Sequence, residues 1–308
     1  MNRILIGIAA ASLLASAPAL ASAQALPRAK PVASGWKTHM WKGPDGTTFH
    51  WAEQGKGPPV ILIHGSGGSA LGNWFSNGFA QSLAKTNRVI GIDMRGHGLT
   101  TNPQGQRGDR TGDMAKDVLD FMDAQGIRKA HIGGYSMGGA ITARLMARAP
   151  ERFITAHFGG SGIGETAEWA DKVPADKTGV APEEEKARAA YYKIQAERQA
   201  AANAIGNAAP RRAGAAAPSP AAPAAAAPRP MPQPPAIDLR TITFPVLAVN
   251  GEYDAPYRKT HRLWRELPNF HNVVLKDGGH LSAVMEGFVP QLYIDELAAF
   301  IVRNNPRP

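Results

Sequence analysis

From residue 36 onward, short apolar runs alternate with longer stretches whose apolar residues recur at helical spacing. The runs are "PPVILIHG" (58–65), "NRVIGIDM" (87–94), "KAHIGGYS" (129–136), "RFITAHFGG" (152–160), "FPVLAVNG" (244–251) and "HNVVLKDGG" (271–279). Nearly continuous apolar runs of this length suit strands buried on both faces of a mostly parallel sheet, since neither face meets water. Upstream, "TTFHWAEQG" predicts the opening strand of a hairpin. Helices are predicted in the gaps. In "TGDMAKDVLDFMDAQG", Met114, Val118, Leu119 and Met122 share one face, Asp113 is placed to cap the start and Gly126 to end it. "SMGGAITARLMARAP" runs from Ser136 to a stop at Pro150, and "YRKTHRLWREL" and "FVPQLYIDELAAFIVRN" keep the same spacing. Alternation of this kind reads as an α/β fold, one sheet with helices on both faces.

Two segments break the pattern. The first is "MNRILIGIAAASLLASAPALASAQA", with basic Arg3, an apolar stretch and then Ala21-Ser22-Ala23. It predicts a signal peptide over 1–23, cut between Ala23 and Gln24, with a flexible segment over 24–35. A membrane anchor fits less well, because the run is short, Ala-rich and interrupted by Pro18. The second is the Ala/Pro-rich stretch from Ala208 to Ala236, "AAPRRAGAAAPSPAAPAAAAPRPMPQPPA". It has too few bulky apolar residues to offset its ordering entropy and reads as a flexible, partly polyproline-II linker. Just upstream, "PEEEKARAAYYKIQAERQAAANAIG" predicts a helix. Residues 161–240 are therefore expected to form a small cap inserted into a core made of 36–160 and 241–308.

Composition narrows the setting. None of the 308 residues is a cysteine, so neither disulfides nor a lipidated cysteine anchor are available to an exported chain. That points to a periplasmic or secreted protein without a membrane anchor. The formal charge is +9, one less after loss of Arg3, but Lys and Arg are scattered rather than clustered. A solvated basic surface accounts for this better than a nucleic-acid site.

Chemistry concentrates where runs end. Ser136 lies in "GGYSMGG", at a predicted strand-to-helix junction. Gly134 and Gly138 stand where side chains would collide in a sharp turn, and the helix behind aims its first amides at the serine. A hydroxyl needs a base. Of the nine histidines, His280 in "LKDGGHLS" follows a run at the same predicted sheet edge as Ser136. His97 in "DMRGHG" is the competitor and fits a loop brace better. Asp254, after "FPVLAVNG", is the acid expected to orient the base; its alternative role is a helix N-cap, and Glu252 is less well placed. "LIHGSGGSALGNW" (62–74) offers backbone N–H donors for an oxyanion, with Ser66 and Met137 the expected pair. A phosphate loop is disfavoured because its Lys-Ser/Thr ending is missing, and there is no dinucleotide fingerprint.

Together, "HGSGG", "DMRGHG", "GYSMGG", "GEYD" and "GGH" resemble the α/β-hydrolase family in order and spacing, over roughly 40–160 and 240–303. The insertion at 161–240 falls where that family places its cap. The resemblance implies a serine hydrolase, carboxylesterase-like, acting on a small-molecule acyl substrate through Ser136, His280 and Asp254 without metal or cofactor. It also implies that Asp93 and "RGHG" support the active-site loop rather than react. A serine at the elbow disfavours dehalogenase and epoxide-hydrolase chemistry, which use aspartate there. Acyl transfer, perhydrolysis and C–C bond hydrolysis share the same triad and stay open, as does a non-catalytic ligand-binding protein on this scaffold. Trp74, Phe75, Phe79, Trp169 and Met285 are candidates for an apolar pocket, with ordinary packing the simpler role.

Overall fold

The computed structural model describes residues 26–307 apart from 33, 109 and 209–235, with side chains omitted over 198–208. The signal peptide expected at 1–23 and nearly all of the Ala/Pro-rich segment lie outside the described residues. Among those described, eight strands form one sheet: β1 (Lys37–Lys42), β2 (Thr48–Gln54), β3 (Pro59–Ile63), β4 (Arg88–Ile92), β5 (Ala130–Tyr135), β6 (Phe153–Gly159), β7 (Val246–Gly251) and β8 (Phe270–Leu275). Their order is β1-β2-β4-β3-β5-β6-β7-β8. β1 and β2 form an antiparallel hairpin, β2 runs antiparallel to β4, and all later pairings are parallel. β1 is the one strand among those described that the sequence pattern does not predict: four of its six residues are charged or polar and its burial is partial.

Alternate residues of each central strand feed two separate cores. Ile61, Ile63, Ile90, Ile92, Val246 and Ala248 face one side. Val60, Leu62, Val89, Leu247 and Val249 face the other. α2 (Met114–Ala124), α3 (Met137–Arg148) and α5 (Pro256–Glu266) cover the first core through side chains such as Val118, Leu145 and Leu263. α1 (Phe79–Leu83) and α6 (Gln291–Arg303) cover the second through Phe79, Leu83, Leu297 and Ile301. Burial on both faces is why these strands read as continuous apolar runs, and each fully buried Leu, Ile or Phe contributes about 1.5–3 kcal/mol. α2 starts where expected: the Asp113 carboxylate accepts from the amides of Ala115 and Lys116. Gly126 takes a positive φ of 64° just after the helix.

One expectation is corrected. Residues 26–32 do not behave as a flexible leader segment but are fastened to the core. Ala29 N donates to Val289 O, Val32 N to Ser76 O, and Gln291 N to Pro27 O. Ala29 is buried, and Arg28 pairs with Glu183 at 3.1 Å. Backbone bonding of this kind leaves no apolar signature in the sequence, which is why composition alone misreads it. Between β6 and β7 the chain forms a 3-10 turn at Ala167–Lys172 and then α4 (Glu184–Ala208), which crosses the C-terminal edge of the sheet.

Candidate active site

Ser136 sits between β5 and α3 with φ 51° and ψ −108°, a backbone conformation L-residues avoid. The close approach of two chain segments enforces it. A Cβ on Gly134 would strike the backbone of Gly138, and one on Gly138 would strike the carbonyl of Ile63 at the end of β3. Gly133 and Gly139 face side chains instead, His157 and Ser161. The turn is held by Ser136 N donating to Gly159 O at 2.8 Å. The hydroxyl is thereby lifted above the sheet edge.

His280 and Asp254 converge on it from the ends of β8 and β7. Ser136 Oγ lies 3.1 Å from His280 Nε2, and His280 Nδ1 lies 2.8 Å from Asp254 Oδ2. Only one tautomer serves both contacts: Nδ1–H donates to the carboxylate, leaving Nε2 to accept from the serine hydroxyl. The side chains are 37% exposed for His280 and 11% for Asp254, so the imidazole is open to the cleft while the carboxylate is shielded. Tyr135 is buried and its hydroxyl donates to His280 O at 2.5 Å, holding the loop from beneath.

Asp254 does not cap α5. That role falls to Asp176, whose carboxylate accepts from Tyr257 N and Arg258 N at 2.7 and 3.2 Å. The second oxygen of Asp254 meets Lys259 Nζ at 2.5 Å, and the same ammonium donates to Gly160 O at 3.1 Å. Burial lowers the Lys259 ammonium from its usual range, and Asp254 works against that shift. Glu252 turns away, accepting from Asp277 N and pairing with Lys177. His97 is likewise apart from Ser136: its Nδ1–H donates to Arg95 O, and burial together with neighbouring His64 lowers it to about 4.

The loop after β3 is organised around one peptide. His64 Nε2 accepts from Met94 N at 3.0 Å, so its Nδ1–H donates to Gly65 O at 2.8 Å. Gly68 N donates to the same carbonyl. In a trans peptide N–H and C=O point in opposite directions, so anchoring Gly65 O turns Ser66 N–H the other way. Ser66 lines the cleft that holds Ser136 and His280. Met137 N is the first amide of α3 and has no helical acceptor, as any N1 amide lacks one. Behind the loop, Asp93 accepts from Ala70 N (2.7 Å), Leu99 N (2.9 Å) and His50 Nδ1–H (2.8 Å). Burial pushes this carboxyl up, but those bonds and nearby His64 outweigh it and hold it below the usual carboxylate range. Arg110 donates to Ser66 Oγ at 3.2 Å and reaches the Met137 sulfur.

The cleft above Ser136 has a volume of about 130 Å³ and is walled by Ile194, Gln195, Leu281, Val284 and Met285. Of the aromatic candidates, Trp74, Phe75 and Phe79 are fully buried packing residues. Trp169 stacks with Lys172 and Arg265 instead, while Met285 does line the cleft. Sequence reasoning missed Lys259, Glu184, Tyr135, His50 and His64. Lys259 follows Asp254 by five residues, in the first turn of α5, and carries a faint signal; a partner of Glu184 far along the chain leaves none.

Comparison with known proteins matches the fold. Residues 58–202 match the family model described as alpha/beta hydrolase fold. The dihydrolipoyllysine-residue acetyltransferase component of the acetoin cleaving system of Pseudomonas putida is 39% identical over 123 residues, 39% of this chain and 32% of that protein. Esterase YbfF of Escherichia coli is 38% identical over 94 residues, 30% of this chain and 35% of its own. The chain thus spans about a third of the length of the curated relatives it matches. A thermophilic esterase from Thermogutta terrifontis superposes with a TM-score of 0.60 at 20% identity, covering 88% of this chain and all of the other. The chain has the α/β-hydrolase fold.

Proposed function

We propose that this chain, an α/β-hydrolase by fold, is a serine hydrolase that cleaves a carboxylic ester or related acyl compound through an acyl-enzyme. The observation that carries the proposal is the continuous hydrogen-bonded series from Ser136 Oγ through His280 to Asp254. In the first half-reaction His280 Nε2 takes the hydroxyl proton as Ser136 Oγ adds to the acyl carbon. Asp254 keeps the tautomer and stabilises the imidazolium. The Ser66 and Met137 amides donate to the oxyanion, and the imidazolium then protonates the leaving oxygen. Water repeats the sequence on the acyl-enzyme with His280 again as base. The apolar wall of Ile194, Val284 and Met285 favours a neutral acyl or alcohol group.

A panel of esters, lactones, thioesters and amides, with Ser136→Ala as blank, tests this. Serine-dependent turnover of esters is the expected result; equal rates with the variant would remove the proposal. Acyl transfer, perhydrolysis and C–C hydrolysis proceed from the same nucleophile and are separated by adding acceptor alcohols, peroxide or a vinylogous diketone to the same assay. The chain's natural site of action is proposed to be the periplasm or the exterior, because residues 1–23 have the make-up of a signal peptide. N-terminal sequencing of the secreted product should begin at Gln24. No helix among the described residues is long and apolar enough to cross a membrane.

A further inference from the structure

α4 presents Glu184, Tyr191 and Gln195 along one face, at i, i+7 and i+11. The three side chains reach the two loops that flank Ser136. Glu184 is buried and accepts from Leu281 N at 2.8 and 3.0 Å, from Ser282 N at 2.9 Å and from Ser282 Oγ at 3.0 Å. Ser282 Oγ in turn accepts from Gly279 N at 2.8 Å. One carboxylate therefore gathers the backbone on both sides of His280. Gly279 leaves room for it, since a Cβ there would strike the Glu184 carboxylate.

The other end of the face grips the loop after β3. Tyr191 OH donates to Ser66 O at 3.3 Å, and Gln195 Nε2 donates to Gly67 O at 2.5 Å. These are the two carbonyls that follow the Ser66 amide. Gly67 adopts φ 71°, and a Cβ on it would strike the Tyr191 hydroxyl, so chain and helix meet without a gap. With Gly65 O already fixed by His64, three successive carbonyls of this loop have assigned donors. The direction of the intervening N–H groups follows.

We propose that α4 is a positioning element for the reaction: Glu184 sets the loop carrying His280, and Tyr191 with Gln195 sets the loop carrying the Ser66 amide. Base and oxyanion donor are then held in register by one rigid helix. The inference rests on the serine-hydrolase reading of the site. Donors that act on the transition state alter kcat rather than substrate binding, and small misplacements cost about a hundredfold.

The test compares Glu184→Ala, Glu184→Gln, Gln195→Ala and Tyr191→Phe with the exposed-face control Glu185→Ala, using p-nitrophenyl acetate. Glu184→Ala is expected to lower kcat roughly 30- to 100-fold with KM within about twofold, and Glu184→Gln to recover most of it. Gln195→Ala and Tyr191→Phe should each lower kcat by about tenfold, while Glu185→Ala leaves both constants unchanged. Wild-type kcat in folded Glu184→Ala and Gln195→Ala, or losses confined to KM, would overturn the proposal. Amide hydrogen exchange is measured on the same proteins and does not depend on turnover. Segments 65–68 and 279–284 should exchange faster in Gln195→Ala and in Glu184→Ala, respectively. Unchanged exchange overturns the positioning role, whereas a wild-type protein inert toward every ester but with these exchange changes would fail only the hydrolase reading. Should Glu184→Ala not fold, Gln195→Ala carries the comparison, and wild-type kcat there overturns the proposal.

Discussion

Gly138→Ala adds one methyl group at a point closed off by the backbone of β3. The new Cβ would overlap the carbonyl oxygen and carbon of Ile63 and lie 3.0 Å from His64 O. All are backbone atoms of β3 and its exit, so no side chain can rotate away. Relief requires the start of α3 to lift from β3 by about an ångström, against packing as dense as an organic crystal. Overpacking of this kind costs about 2–4 kcal/mol. The same displacement carries Ser136 away from His280 Nε2, now 3.1 Å distant, and should lower kcat/KM by about a hundredfold. Gly164→Ala is the matched control, because its added methyl would meet no heavy atom within 4 Å and its φ is not positive. Urea denaturation and ester hydrolysis of the two variants give both numbers. A Gly138→Ala protein with the wild-type urea midpoint and kcat/KM within twofold would refute the steric reasoning.

Asp93→Ala should remove about 3–5 kcal/mol, since it strands the buried donors on His50, Ala70 and Leu99, and should slow turnover by loosening the loop after β3. Lys259→Met should reduce kcat about tenfold by releasing one oxygen of Asp254, with Lys259→Arg restoring most of the rate in the same assay. Stability should fall on acidification. Burial lowers His131 to about 4 and His157 to about 3, below the unfolded value near 6.5. The unfolded chain therefore binds more protons between those limits. The stabilising effect of neutral burial is complete above pH 6.5 and is lost as pH falls toward 4. Urea midpoints should register a loss on the order of 2–4 kcal/mol between pH 7 and pH 5; a flat profile would show these histidines titrating normally.

The sheet was legible because its central strands are buried on both faces, so β3 to β7 stand out as apolar runs regardless of their neighbours. Ser136, Asp254 and His280 were legible for a related reason. Each follows such a run at a turn, and the turns demand small residues at Gly134, Gly138, Gly251 and Gly279. A Cβ at Gly251, for example, would meet the Gly278 backbone. What escaped depends on partners distant in the chain. β1 is half exposed and reads as polar. The docking of residues 26–32 uses backbone groups, which every residue has. Glu184 looks like any acid in the first turn of a helix until the His280 loop folds onto it. Asp254 was ambiguous between capping and orienting until Asp176, from another segment, took the caps of α5.

The proposed function requires Ser136 to be an activated nucleophile. Intact-mass and peptide mapping after brief exposure to a fluorophosphonate measures this directly, since the reagent phosphonylates a serine only where a base and an oxyanion site assist it. One adduct per chain on Ser136, absent from Ser136→Ala and strongly slowed in His280→Ala, is the expected result. An unlabelled wild-type protein, or a Ser136→Ala variant labelled to the same extent, would contradict it.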